Sequence, residues 1–272
     1  MADIDTGTDH LLASLTDGVL TLTMNRPEAR NALTPDMLGA IAEKLAWAEL
    51  DPSVKCIVIT GSGGGFCAGG DVKAMNARNA GGQALSIDER IHRQRVSQRA
   101  TAGKLFKMPK PTIAVLPGAA AGAGLAIALS CDLRIMASNA IMTTAFAKVG
   151  FSGDYGGTYF MTKLIGAAKA RELYLLSDRV SADEALRLGL TNWVVGPEDL
   201  AAKTKEIADR LAAGATVAFR YMKENLNRAM EGDWDDCLDL EVTHHVHCGE
   251  TEDHRNAAKA FVEKRAPVFT GR

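Results

Sequence analysis

The sequence predicts an α/β fold, and three observations predict it. Two short apolar runs, Cys56 to Thr60 and Thr112 to Leu116, each lead into a glycine-dense loop and then into helix-forming residues. Runs of that length, apolar throughout, read as strands buried on both faces, which is the habit of parallel sheets. From Glu198 onward nearly every stretch carries helical periodicity, so helices gather at the C-terminal end. A chain of 272 residues can bury a sizeable core as one large domain or one domain with an extension. The predicted division is a core over residues 1–200 and a helical region over 201–272.

The elements follow in order. His10 to Leu15 and Val19 to Met24 read as a hairpin turning at Asp17 and Gly18. Thr34, Pro35 and Asp36 start a helix: a hydroxyl to cap it, a proline in the first turn, and an acid beside the positive end. Met37, Leu38, Ile41, Leu45 and Ala48 then share one face up to Asp51 and Pro52. The segment 61–75, GSGGGFCAGGDVKAM, turns from strand into helix. Residues 77–90 are polar and glycine-containing, which predicts a mobile connection. Residues 91–107 form a basic helical stretch that ends before Pro109 and Pro111. Ala121 to Ser130 is a helix of small residues able to pack closely on a sheet, with strands near 112–116 and 132–136 on either side.

Composition narrows the function classes. The apolar fraction of 47% and charged fraction of 24% belong to an ordinary globular protein. A net charge of −2 gives no broad electrostatic footprint for nucleic acid. Cys56, Cys67, Cys131, Cys237 and Cys248 are odd in number and contain no C-x-x-C pair, so a reducing, cytoplasmic setting is expected. The opening MADIDTGTD is acidic with no apolar core, unlike a signal or transit peptide, and the closing TGR is not a peroxisomal address. The apolar runs are too short, or too broken by charge and glycine, to span a bilayer.

The glycine loops carry the chemical signal. Glycine lets the backbone turn sharply and leave N–H groups pointing outward at a helix entrance, where they attract negative charge. Two such strand–glycine–helix units, at 61–75 and at 118–124 (GAAAGAG), can aim two donors at one oxygen. That is the arrangement that stabilises an oxyanion. The same glycines also serve a tight turn with no chemistry attached.

Further motifs carry a resemblance. NRPEARNAL at 25–33, FCAGGD at 66–71, GAAAGAGLAIALSCD at 118–132, YGG at 155–157, SADEALRLGLTNWVV at 181–195 and FVEKRAPVF at 261–269 occur in one order. With them the chain resembles the enoyl-CoA hydratase/isomerase (crotonase) superfamily from end to end. The resemblance implies a ClpP/crotonase-like spiral of ββα units with a C-terminal helical trimerisation region. It implies trimers or hexamers acting on an acyl-CoA thioester, in reactions of fatty acid metabolism. It also implies an oxyanion hole from the N–H groups of Gly70, in A-G-x-D, and Ala123, in the G-x-G before the small-residue helix. No cofactor is implied, because coenzyme A is part of the substrate; no metal, nucleic acid or membrane partner is expected.

The family's carboxylates decide the reaction. Enoyl-CoA hydratases of this family use two glutamates, and the matching positions here hold Ala126 and Phe146. Between Pro111 and Gly153 the only acid is Asp132, which follows the small-residue helix and is expected to bond backbone. The next is Asp154, in FSGDYGG. A related position carries the proton-shuttling acid of enoyl-CoA isomerases and of the ring-epoxide isomerase of phenylacetyl-CoA breakdown. One carboxylate suffices to move a proton from C2 to C4, and burial among Phe146, Phe151 and Tyr155 would raise its pKa usefully. The competing role for Asp154 is a helix cap near Gly157. An isomerase is therefore expected before a hydratase. The alternatives are a hydratase with an atypical acid, such as Asp88 or Glu89, and a crotonase-fold protein that binds acyl-CoA without turnover.

The resemblance also assigns coenzyme contacts. Arg30 and Ala32 fall by the nucleotide end, Ala68, Asp71 and Val72 hold adenine and pantetheine beyond Gly70, and Phe261 and Lys264 reach the coenzyme, often in a neighbouring subunit. The acyl pocket is expected from residues near Met75 to Phe106. Weaker signals point elsewhere: Gly63, Gly65 and Ala68 fit a loose dinucleotide fingerprint, and His244, His245, His247 and Cys248 fit a metal cluster. Arg90, Arg93, Arg95 and Arg99 fit either a solvated helix face or an RNA or phosphate contact.

Overall fold

A parallel sheet wound from strand–helix–strand turns organises the chain, whose computed structural model describes residues 2–72 and 85–272. The strands are β1 (Ala2–Ile4), β2 (Leu11–Thr16), β3 (Val19–Met24), β4 (Cys56–Gly61), β5 (Thr112–Leu116), β6 (Ala120–Ala121), β7 (Leu133–Ala137), β8 (Ile141–Thr143), β9 (Val180–Ser181) and β10 (Trp193–Val195). The main sheet runs β1-β2-β3-β4-β5-β7-β10, antiparallel up to β3 and parallel beyond it. A small second sheet, β6-β8-β9, lies at the mouth of the spiral. The α/β class and the strand–helix–strand winding are those the sequence predicts.

Local chemistry explains the turns. Asp17 and Gly18 both hold positive φ (50° and 82°), the twist that a two-residue hairpin loop needs between β2 and β3. Helix α1 (Pro35–Leu50) crosses from β3 to β4; the Thr34 hydroxyl accepts from Met37 N–H at 3.2 Å. Its buried face is Met37, Ala40, Ile41, Leu45 and Ala48, with Leu38 only partly covered. β4 and β5 are almost wholly buried, as their unbroken apolar runs require.

Between β4 and β5 lie α2 (Ile87–Ala100) and α3 (Ala102–Lys107). Two expectations are corrected here. The connection predicted over 77–90 already becomes helix at Ile87, because Ser86 and Glu89 form a reciprocal capping box: Ser86 Oγ accepts from Glu89 N–H, and Glu89 Oε2 accepts from Ser86 N–H. Its earlier part, with the helix expected to follow the first glycine loop and the pocket wall expected from Met75, falls on 73–84, outside the described residues. The basic stretch 91–107 is two helices rather than one, divided at Thr101 (φ −113°, ψ −92°), whose Oγ1 donates to the Ser97 carbonyl at 2.8 Å.

After β5 come α4 (Ala123–Leu129), buried at every residue, then α5 (Gly157–Leu176), α6 (Ala182–Leu188) and α7 (Leu200–Ala212), which lies on β4 and β7. Helices α8 (Thr216–Glu231), α9 (Trp234–Gly249) and α10 (Glu252–Val262) complete the chain. No helix among the described residues is long and apolar enough to cross a membrane.

Asp132 bonds backbone as predicted, and more. Its Oδ2 accepts from Thr112 N–H (2.8 Å), Thr112 Oγ1 (2.9 Å) and the buried Lys223 Nζ of α8 (2.8 Å). Lys223 also donates to the Leu105 carbonyl at 2.9 Å, so one ammonium ties α8 to β5, β7 and α3. Removing one partner of a buried pair leaves the other charge and its carbonyls short of donors. Lys223→Met is expected to lower unfolding free energy by about 3 kcal/mol, read from denaturant melts.

Candidate active site

The two glycine loops are laced together like strands. Phe66 and Cys67 N–H groups donate to the Ala119 carbonyl (3.2 and 3.1 Å), and Ala121 N–H donates to the Cys67 carbonyl at 2.9 Å. Side chains would prevent this approach. A Cβ on Gly118 would lie 2.1 Å from the Gly64 carbonyl oxygen, and one on Gly124 would lie 2.5 Å from that of Cys67. Gly69 holds φ +86°, and its missing Cβ would fall 2.8 Å from the Ala121 oxygen and 3.2 Å from the Ala123 nitrogen. The A-G-x-D loop is thus pressed against the start of α4.

That contact places two amides on one cavity. Ala123 opens α4, where the first amides have no partner within the helix, and the capping Gly122 has no side chain to take one. On the other loop, Leu33 N–H donates to the Gly69 carbonyl at 2.8 Å in a parallel bridge between Leu33 and Gly70. Successive amides alternate sides along such a segment, so Gly70 N–H turns away from Leu33, toward the cavity. Gly70 and Ala123 both line a cavity of about 380 Å³.

Asp154 lines the same cavity. It sits in a turn of unusual backbone: Gly153 has φ 117°, Tyr155 51° and Gly156 78°. Tyr155 is the costly member, since a non-glycine residue rarely holds this region. Burial of its ring and a 3.4 Å approach of its hydroxyl to Ser97 Oγ of α2 hold it there. The capping role for Asp154 is not realised: Gly156 occupies the cap of α5, and Asp154 offers only its backbone carbonyl, to Gly157 N–H at 3.0 Å. Its Oδ1 is buried with no hydrogen-bond partner among the described residues. Burial raises this carboxyl to a pKa of about 6. Of the three rings expected around it, Phe146 and Tyr155 are buried, whereas Phe151 is 56% exposed and forms part of the cavity's rim.

The positions lacking glutamate are filled by packing groups. Ala126 lies against Gly157, whose added Cβ would come within 3.0 Å of it, and Phe146 stacks on Tyr174 at 5.9 Å. Cys67, although inside the loop, is fully buried, which disfavours its thiolate. Burial pushes its thiol up to about 12, and Sγ donates to the Asn31 carbonyl at 3.0 Å.

The residues expected at the coenzyme divide into two groups. Arg30, Ala32, Ala68, Asp71 and Val72 gather along one rim: Ala68 N–H donates to the Arg30 carbonyl at 3.0 Å, and Ala68 and Val72 line the cavity. Phe261 and Lys264 do not line it; Phe261 is 86% exposed on α10, and Lys264 follows that helix with φ 55°. Two residues of the NRPEARNAL segment were missed. Buried Asn31 donates through Nδ2 to the Ser62 and Gly65 carbonyls (2.9 and 3.0 Å) and accepts from Arg26 N–H at 2.8 Å. Arg26 donates to the Ala32 carbonyl (2.9 Å) and to Asp71 Oδ2 (3.2 Å). Asparagine between two glycine-loop carbonyls was the available signal, but only the fold supplies the carbonyls. Gln94 and Gln98, one turn apart on α2, form the facing wall.

Among the described residues no cluster of His, Cys, Asp and Glu fits a metal. His244 instead stacks on Tyr221 at 4.3 Å with Nδ1 2.5 Å from Asn225 Oδ1.

The family model described as enoyl-CoA hydratase/isomerase matches residues 14–272. The chain belongs to the enoyl-CoA hydratase/isomerase family. It is 36% identical over 264 residues to 1,2-epoxyphenylacetyl-CoA isomerase of Escherichia coli, covering 97% of this chain and 99% of that one. It is also 36% identical over 250 residues to short-chain-enoyl-CoA hydratase of Clostridium acetobutylicum, covering 91% and 92%. A solved enoyl-CoA hydratase from a Polaromonas species superposes with a TM-score of 0.89 at 33% identity, covering 96% of this chain and 99% of that one. Another, from Bacillus anthracis, gives 0.89 at 28%, covering 97% and 100%. Relatives named for isomerisation and for hydration are thus equally similar, and likeness alone does not choose between the reactions.

Two outcomes follow for this family member. Gly69→Ala should displace Ala123 from Gly70 and lower kcat by about 100-fold or more while circular dichroism stays native. Asp154 has a folded pKa above its unfolded value, so the folded state binds the extra proton and stability falls as pH rises from about 4 to about 6. Asp154→Asn should therefore stabilise the protein at pH 7 by about 2 kcal/mol, with the gain vanishing below about pH 4 in pH-dependent melts.

Proposed function

We propose that the protein is an enoyl-CoA isomerase in which Asp154 is the single acid/base. The observation that supports this is the cavity itself, whose lining includes Gly70, Ala123 and Asp154, the last with Oδ1 buried and unpartnered among the described residues and a pKa raised to about 6. A 3-enoyl thioester bound there presents its carbonyl oxygen to the two N–H groups. Asp154 takes a proton from C2, and the electron pair moves through the carbonyl onto that oxygen. The resulting dienolate is held by the two donors while Asp154 returns the proton at C4. The carbonyl re-forms and the double bond now lies between C2 and C3, with no atom gained or lost. A carboxylate with raised pKa is a stronger base than an ordinary one and stays mostly ionised at pH 7.

Hydration needs a second group to position water. The glutamate positions of the hydratase pattern hold Ala126 and Phe146, and the atypical candidates give little support. Glu89 is engaged in the cap of α2, Asp88 is exposed in its first turn, and neither lines the cavity. The name of the Escherichia coli relative, an isomerase of an acyl-CoA, is in line with an isomerase here. Arg30, Ala32, Ala68, Asp71 and Val72 are read as the coenzyme rim, with coenzyme A entering as substrate and no separate cofactor required. A cytoplasmic homotrimer or hexamer completes the proposal. Trp234, Leu238, Val242 and Val246 form an exposed apolar ridge on α9 that suits packing between copies, and Phe261 and Lys264 would meet the coenzyme of a neighbouring subunit.

A paired assay tests the reaction. A 3-enoyl-CoA should become the conjugated 2-enoyl-CoA without change of mass, and a 2-enoyl-CoA should not gain water. Asp154→Asn should cut turnover by about 100- to 10,000-fold while coenzyme A affinity stays within a few fold. The wild-type kcat/KM should fall with falling pH below about 6, as Asp154 takes up a proton. Unchanged isomerisation in Asp154→Asn would sink the mechanism.

A further inference from the structure

Helix α2 has no buried residue, and two of its ridges border cavities. Gln94 and Gln98 face the cavity that holds Asp154. Arg95 and Arg99, one step round the helix, border a second cavity of about 190 Å³. Gln98 borders both, and Tyr155, the residue after Asp154, lies on the wall of the second. The Gln98 side chain therefore stands between the two cavities, beside the turn that holds Asp154.

The second cavity has an apolar floor and a cationic rim. Its floor is the buried rings of Tyr155 and Phe160, and Gly103 and Gly156 keep it open by adding no side chain. On the rim, Arg95 and Arg99 are exposed, and neither has an ion-pair or hydrogen-bond partner among the described residues. Guanidinium groups bind carboxylates through a planar fork of donors, and two of them one helical turn apart can share one anion. A methylene stem suits the rings beneath, and an anionic end would add ion pairs with the two guanidiniums that a methyl end cannot make.

We propose that this cavity receives the far end of the acyl group and that this end is a carboxylate. The substrates favoured are then coenzyme A monothioesters of dicarboxylic acids, with the thioester at Gly70 and Ala123 and the free carboxylate at Arg95 and Arg99. The assignment rests on the first cavity being the acyl-thioester site. It does not depend on which reaction occurs there. Gln98, at the junction, offers an amide to the passing chain and sets how much room it has.

Binding measured without turnover tests it. Saturated thioesters that cannot isomerise are compared in matched pairs by calorimetry: butyryl- against succinyl-CoA, hexanoyl- against adipoyl-CoA, octanoyl- against suberoyl-CoA. In at least one pair the carboxylate-ended thioester should bind about five- to tenfold tighter, the scale of two partly exposed ion pairs, and the difference should shrink at high salt. Arg95→Gln combined with Arg99→Gln should erase that preference and leave methyl-ended affinity within about twofold. Equal affinity within every pair, or a preference that survives the double substitution, would overturn the proposal. An equal loss for both kinds of thioester would also overturn it, by assigning the arginines to the coenzyme's phosphates. Failure of every thioester to bind would overturn the reading of the first cavity and this one with it. Binding of methyl-ended thioesters alone would overturn only the second.

Discussion

Everything at the site depends on the pairing of Cys67 with Ala120. These residues bring two glycine loops, some fifty residues apart in sequence by the numbering itself, into one short parallel ladder. The ladder tolerates no Cβ at Gly118 or Gly124, because backbone oxygen already occupies the space. Its consequence is that Gly70 and Ala123 share a cavity wall. Asn31 braces the arrangement from outside by bonding two carbonyls of the first loop, and Thr34 and Arg26 tie the adjoining segment to α1 and to Asp71. Amides held this way need no reorganisation when charge develops before them, which is where such donors gain their effect.

The acid is built on the opposite principle. Gly70 and Ala123 are held by satisfied neighbours, whereas Asp154 is held in a place where its carboxylate goes unsatisfied. A buried carboxylate oxygen without a partner and a tyrosine at positive φ both weaken the fold locally. The surrounding structure compensates through packing: the Tyr155 ring is buried and Phe146 stacks on Tyr174. Local cost at Asp154 and tight satisfaction around Gly70 and Ala123 thus meet on the lining of one cavity.

The family placement bears on Ala126 and Phe146 as well. The neighbours Gly157 and Tyr174 pack closely around these two side chains. A methyl group and a phenyl ring occupy these two positions, and neither can take or give a proton. The cavity is correspondingly apolar on that side, and its polar wall comes instead from Gln94 and Gln98 on α2.

β2, β3, β4, β5 and β7 were legible in the sequence as short apolar or alternating runs bounded by turn residues, whereas β1, β6, β8, β9 and β10, of two or three residues each, are too short to carry a pattern. Helix α1 was legible because Thr34, Pro35 and a spaced apolar face agree. The start of α2 at Ser86 was missed: a polar, glycine-bearing stretch hid a capping box that is itself a short local signal. Gly70, Ala123 and Asp154 were named as candidates because the family resemblance points to their positions. The sequence by itself thus determined the fold class, the family and the shortage of acids, since each of these follows from residue type and order. Only the tertiary structure decided that Asp154 lines the same cavity as Gly70 and Ala123 instead of capping α5, that Asn31 holds the first glycine loop, and that Arg95 and Arg99 border a second cavity beside Gln98. Those facts depend on distances between segments remote in the chain and on which groups burial strips of water, and neither quantity is local to any stretch of sequence.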